Sequence, residues 1–251
     1  MDADLAAAAL LEVWNHLGTH VPGMWSRRVD GAVATVTGVP ASPLNGVWVG
    51  GACDSAVITE LLDEVAASGL PHVLQARPEV APQLAEVAAA RGMSAQPAVP
   101  LMVLSDASSL AGARTSDGLA IRELEPSEAA AHASVAAAGF EIPDDLLRQL
   151  VTPALLSLAS CRAYVGEIDG TPVSTGMSIT LEGATGVFNI ATPPARRRRG
   201  YGAAVTARVV DDGLAAGASW AWLQASTAGY TVYERLGFRA LARWSCWGSP
   251  S

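Results

Sequence analysis

The sequence predicts a mixed α/β fold, a mixed central sheet flanked by helices, with the same order of elements laid down twice along the chain. Three observations support this. Segments that alternate apolar and polar residues, such as 162–168 and 173–181, take turns with segments of helical spacing, such as 202–216. The C-terminal half closes on a strand–helix–strand–helix–strand order, and residues 46–104 show the same order. The strings Leu74-Gln75-Ala76 and Leu223-Gln224-Ala225 occupy matching places, and the helices after them are closed by Gly92-Met93 and Gly237-Phe238.

The first copy reads as a strand at 46–50, a helix at 55–68, a strand containing Leu74-Gln75-Ala76, a helix at 81–91 and a strand ending at Leu104. The stretch 105–118, SDASSLAGARTSDG, is small and polar and has no hydrophobic period, so it is the expected linker. Domains at 1–104 and 119–251 follow, both of ordinary size. In the second, 119–124 alternates as a strand and Ser127 opens a helix toward Phe140. Pro143-Asp144-Asp145 opens another helix that bends at Pro153. Strands at 162–168 and 173–181 are joined by Asp169-Gly170-Thr171-Pro172, a hairpin signal. A strand at 186–192, a helix at 202–216, a strand at 220–225, a short helix at 230–236 and a strand at 239–247 complete the order.

Bulk chemistry narrows the function. Half of the 251 residues are hydrophobic and 16% are charged, enough apolar surface for a packed core. The net charge of −8 argues against nucleic acid, whose binders neutralise phosphates with a basic field. The opening MDADLAAAALLEVW has no basic region before its apolar residues, and no stretch of about 18 apolar residues occurs. Neither a signal peptide nor a membrane span is expected, and the expected location is cytoplasmic. Cys53, Cys161 and Cys246 are far apart and form no metal motif, and the four histidines suggest no metal site either.

The most informative stretch is 192–204, TPPARRRRGYGAA, which follows a strand and opens a helix. Such a junction offers unpaired backbone N–H groups at the positive end of the helix dipole. Gly200 and Gly202 let an anion approach the backbone, and the arginines add donors for phosphate oxygens. This is the chemistry of a pyrophosphate cradle. A Walker A loop would need Gly-Lys-Ser/Thr, and a dinucleotide fingerprint would need a third glycine where Val205 stands.

Arg197-Arg198-Arg199-Gly200-Tyr201-Gly202 resembles the Arg/Gln-x-x-Gly-x-Gly/Ala loop of the GNAT acyltransferases, with Pro194 three residues before it. Tyr233-Glu234-Arg235-Leu236-Gly237-Phe238 is similar to that family's Tyr-x-x-x-Gly-Phe close, one helix and one strand downstream. The resemblance covers residues 119–251 and implies the acyl-CoA N-acyltransferase fold, here as two GNAT-like domains in tandem. It further implies acetyl-CoA as acyl donor and an amine, on a small molecule or a peptide, as acceptor. The strand ending Ile190-Ala191-Thr192 would then hold the pantetheine arm, and the amides of Arg198, Arg199, Gly200, Tyr201, Gly202 and Ala203 would hold the pyrophosphate. Arg197 takes the Arg/Gln position. Tyr233 takes the place of a tyrosine that protonates the departing thiolate. Ser226 stands where the family often keeps an asparagine. The amine must lose a proton before it attacks, and Glu141 and Glu167 are the carboxylates to test as general base. No Ser/His/Asp or Cys/His set is present for a covalent intermediate.

The first half lacks this loop chemistry. Its equivalent stretch, Val49-Gly50-Gly51-Ala52-Cys53-Asp54-Ser55, has no arginine, and Asp54 would repel a pyrophosphate. The N-terminal domain is thus expected to be degenerate and to support, dimerise or wall the acceptor pocket. The rival reading is a module that senses acyl-CoA without turnover. Acceptor, acyl length and oligomeric state, including a homodimer, stay open.

Overall fold

The computed structural model describes residues 2–114 and 116–250. Thr115, inside the expected linker, falls outside them. The chain forms two compact units. The first comprises residues 1–101, 224–226 and 240–251; the second comprises 102–223 and 227–239.

The first unit begins with α1 (Ala3–His20), to which the sequence reading assigns no element. Asp2 caps it by accepting from the Asp4 amide at 3.0 Å, and Ala6, Ala7, Leu10, Leu11, Val13 and Leu17 make its buried face. A hairpin of β1 (Trp25–Val29) and β2 (Ala32–Val36) follows, and β2 pairs antiparallel with β3 (Gly46–Val49). Then come α2 (Ser55–Ala66), β4 (Val73–Ala76), α3 (Ala81–Ala90) and β5 (Ser94–Leu104). β3 and β4 run parallel, a pairing that needs a crossover connection, which α2 supplies. Val47, Val49, Leu74 and Ala76 turn one face of this sheet toward Ile58, Leu61 and Leu62 of α2 and Leu84 of α3. All eight are essentially inaccessible to water.

One strand of this unit comes from the far end of the chain. β11 (Arg239–Gly248) lies antiparallel to β4, with Ser245 opposite Ala76 and Gly248 opposite Val73. The compact units thus differ from the boundaries at 104 and 119 that local composition suggests. Composition reports chain flexibility, whereas β11 is placed by a strand about 170 residues earlier in the sequence.

The second unit holds β6 (Ala120–Glu123), α4 (Ala129–Phe140), α5 (Asp144–Leu150) and α6 (Pro153–Leu156). The bend expected at Pro153 is a break: α5 ends at Leu150 with Val151 as its C-cap, and Thr152 caps α6 by accepting from the Leu155 amide at 3.2 Å. β7 (Cys161–Ile168), β8 (Thr171–Leu181) and β9 (Ala184–Ala191) form an antiparallel meander. Asp169 and Gly170 both take positive φ, 48° and 72°, at the hairpin the sequence marks. α7 (Tyr201–Ala215), β10 (Trp220–Gln224) and α8 (Tyr230–Arg235) follow, and strand order is β10-β9-β8-β7-β6. Here too the helix-linked pair, β9 and β10, is parallel.

The expected linker is a packed part of the second unit. Residues Ala107–Ala113 form a 3-10 helix whose Leu110 is fully buried. Ser109 Oγ donates to the Leu236 carbonyl at 2.8 Å, Arg114 pairs with Asp211 at 2.7 Å, and Ser116 Oγ donates to the Arg199 carbonyl at 2.8 Å.

Candidate active site

The two parallel pairs differ at the place where a ligand could enter. β3 and β4 are paired along their whole length, and the Arg77 amide closes the end on the Val49 carbonyl at 3.0 Å. The register of β9 with β10 runs only from Ala184/Trp220 to Gly186/Trp222. Beyond it, Val187 to Ala191 is laddered to β8 on one side, and no partner strand among the described residues pairs the other. Phe188, Asn189 and Ile190 are correspondingly half-buried, in a strand whose first four residues are buried. The free flank carries unpaired backbone groups, the condition for adding an extended ligand as one more strand.

That flank leads directly to the arginine–glycine turn. Arg198 and Gly200 both take left-handed φ, 65° and 80°, and turn the chain sharply into α7. Gly200 is the N-cap and has no side chain to satisfy the helix end. The first amide with an intrahelical acceptor is that of Ala204, which donates to the Gly200 carbonyl at 2.9 Å. The amides of Tyr201, Gly202 and Ala203 therefore precede the helical ladder, at the positive end of a 15-residue helix. Arg198 and Arg199 are exposed beside them, while the Tyr201 side chain is buried.

Arg197 has a different place from its neighbours. Its guanidinium donates to the Thr192 carbonyl at 3.1 Å, to the Gly139 carbonyl at 2.7 Å and to Glu141 at 2.9 Å. It braces the end of β9 against the C-terminus of α4, where a cation is favoured by the helix dipole. The brace engages one of the two carboxylates expected as a base. The other, Glu167, pairs with Arg122 at 3.2 Å. Glu167 stands opposite Pro172 on β8 and Ala191 opposite Thr175, so the two are three residue levels apart, about 10 Å along the sheet. The structure thus brings Glu141, but not Glu167, to the end of β9.

Tyr233 lies on α8, with its ring edge-on to Phe238 at 5.9 Å. Burial pushes its phenol up to about 12, so it is a neutral proton donor at ordinary pH. Ser226 follows β10 and is grouped with the first unit. Trp222 is buried with its ring edge-on to Phe188 at 5.5 Å, so it packs against β9.

Two features of β9 and its surroundings carry no sequence signal used above. β9 bulges against β8: Met177 faces Phe188 and Thr175 faces Ala191, so Gly176 opposes both Asn189 and Ile190. Asn189 takes φ 49° there, and its side-chain nitrogen is buried without a hydrogen-bond partner. Next to the bulge, His132 of α4 is fully buried and meets Thr175 Oγ1 at 2.6 Å, and Thr175 donates to the Tyr164 carbonyl at 2.8 Å. Burial lowers the His132 pKa to about 4, so it is neutral and structural. Among the described residues no three His, Cys, Asp or Glu side chains are grouped to hold a metal.

Residues 128–238 match the Acetyltransferase (GNAT) family. These residues are similar to the members of that family. The matched segment contains the bulged β9, the arginine–glycine turn, α7 and Tyr233. No curated protein matches the chain. Solved structures extend the likeness beyond these residues to the whole chain. A GCN5-related N-acetyltransferase from Kribbella flavida is 22% identical, with 99% of this chain and 96% of that one covered at a TM-score of 0.73. A tandem GNAT protein from the clavulanic acid biosynthesis pathway is 15% identical, with 100% and 98% covered at 0.57. A functionally unknown conserved protein from Staphylococcus epidermidis is 12% identical, with 89% and 92% covered at 0.64. At these identities the likeness is one of fold, a mixed α/β architecture of tandem GNAT type.

Proposed function

We propose that the second unit binds acetyl-CoA and transfers its acetyl group to the amine of a small molecule or peptide. The observation that carries this reading is the unpaired flank of β9 leading into the uncapped start of α7. The pantetheine arm would add to Ile190, Ala191 and Thr192 as an extended strand. Its diphosphate would meet the amides from Arg198 to Ala203 and the exposed guanidiniums of Arg198 and Arg199. Arg197 would serve this site by holding the end of β9 in place, since its Nε and Nη2 donors are engaged by Thr192, Gly139 and Glu141.

In the reaction the amine lone pair attacks the thioester carbon, the tetrahedral intermediate collapses, and the thiolate leaves with a proton. The protonated phenol of Tyr233 suits that last transfer. Glu141, with one carboxylate oxygen on Arg197, is the base to test first; Glu167 is occupied by Arg122 and set back from β9. The first unit supports a supporting role rather than a second coenzyme site, because its parallel pair is closed and its helix start is occupied. Asp54 Oδ1 accepts from the Ala56 amide at 2.8 Å, which puts a carboxylate where the anion would sit.

Calorimetric titration with acetyl-CoA tests the reading, beside a Gly202→Asp variant. A Cβ at position 202 meets nothing closer than Thr192 Oγ1 at 3.4 Å, and a carboxylate in the first helical turn stabilises a helix. The variant should keep its thermal midpoint and lose at least about 100-fold in affinity, roughly 3 kcal/mol. Equal affinity in both proteins would remove the coenzyme from this turn. Binding without thiol release to any amine in a panel would leave a sensor in place of an enzyme.

A further inference from the structure

The segment that matches the acetyltransferase family begins at residue 128, yet a residue upstream of it reaches the turn before α7. Ser116 Oγ donates to the Arg199 carbonyl at 2.8 Å. The backbone around this half-buried serine is fixed on both sides. Two residues earlier, Arg114 forks onto Asp211 of α7, with Nε at 2.7 Å and Nη2 at 2.9 Å from the two carboxylate oxygens. Three residues later, the Leu119 amide donates to the Ser116 carbonyl at 3.0 Å and closes a turn in which Gly118 takes φ 70°. Ser116 is thereby anchored to the same helix whose start it touches.

The carbonyl that Ser116 holds decides the direction of an amide. Arg199 stands between Arg198 and Gly200, which both take left-handed φ. Glycine accepts φ of either sign, so the peptide from Arg199 to Gly200 is free to turn over unless something holds it. A trans peptide is planar, and its C=O and N–H point in opposite directions. Ser116 draws the Arg199 carbonyl to its own side and so turns the Gly200 N–H to the other. Among the described residues that N–H has no acceptor. It stands next to the amides of Tyr201, Gly202 and Ala203, which also precede the helical ladder.

We infer that Ser116 is a positioning residue of the coenzyme site: by holding the Arg199 carbonyl it presents the Gly200 N–H to the diphosphate. The inference rests on the function proposed above, in which the diphosphate meets this turn. An amide already held in the bound direction costs the ligand nothing to orient. Without the hydroxyl, only a fraction of the molecules present that amide, and the apparent affinity falls by that fraction.

Acetyl-CoA and S-acetylpantetheine separate this role from a general loss of structure, because the second has the acyl group and the arm but no diphosphate. In Ser116→Ala the Kd for acetyl-CoA, read by calorimetry, should rise on the order of 10-fold. The Kd for S-acetylpantetheine should stay within about twofold, and the thermal midpoint should not change. Ser116→Thr, which returns a hydroxyl to the same place, should bring the acetyl-CoA Kd back to within about twofold of the unaltered protein. Equal affinity for acetyl-CoA in Ser116→Ala and the unaltered protein overturns the inference. So does a loss of the same size for both ligands, or a Thr variant as weak as the Ala variant. No binding of acetyl-CoA by the unaltered protein overturns the transferase reading instead, and this inference with it.

Discussion

Two ionisable side chains of the second unit owe their state to burial, with opposite uses. His132 is kept neutral inside the sheet–helix contact and spends its Nδ1 on Thr175. Tyr233 keeps its proton because a phenolate would be desolvated, which is the state a leaving thiolate needs. Removing the hydroxyl with Tyr233→Phe should lower kcat on the order of 100-fold and leave the affinity for acetyl-CoA within about twofold. The phenol's raised value also sets a sign for the pH profile. A general acid works while protonated, so its contribution is complete below about pH 11 and declines only as pH rises toward 12. The rate should therefore rise with pH as the amine deprotonates and show no alkaline fall below pH 10. An alkaline fall centred near pH 8 that disappears in Tyr233→Phe would mean that the phenol ionises far too early for this role.

At the scale of elements, the two copies of the strand–helix–strand design diverge at one junction. In the second unit glycine opens α7; in the first, Asp54 closes α2 upon itself. Asp54→Ala should cost the first unit about 1 kcal/mol, read as lost protection of α2 amides from hydrogen exchange. Acetyl-CoA should still bind at one per chain with unchanged affinity. A second equivalent bound by Asp54→Ala would show that only this carboxylate had kept a coenzyme out. The order of elements in the second unit was legible because each boundary has its own local chemistry: Asp169-Gly170 for the hairpin, Gly200 for the helix start, Gly237 for the close of α8. The separation of β9 from β10 was not legible. Leu74-Gln75-Ala76 and Leu223-Gln224-Ala225 look alike as strings, yet β4 is zipped to its neighbour to the end and β10 is not. Pairing length depends on which residues meet across the sheet, and no local signal encodes that. The same holds for Arg197, whose place in the motif suggests a phosphate and whose donors go to Thr192, Gly139 and Glu141.

For the whole molecule, the chain's course matters more than its apparent halves. After 122 consecutive residues given to the second unit, 102–223, the chain visits the first unit at 224–226 and returns to it for good at residue 240. Trp244, with no exposed surface, and Cys246 are buried on β11, and the Ser249 amide reaches the His72 carbonyl at 2.8 Å. β4 is only four residues long, so its antiparallel ladder to β11 is half of its hydrogen bonding. A chain ending at Arg239 would leave that edge open and remove at least one fully buried tryptophan, a loss of about 3–5 kcal/mol by comparison with large-to-small core substitutions. Hydrogen exchange locates the damage. Amides of Val73, Leu74, Gln75 and Ala76 should lose protection in the shortened chain, although the residues removed are those furthest from them in sequence. If β4 keeps its protection and only β9 and α7 lose theirs, the final strand is part of the second unit and the two halves of the chain fold separately.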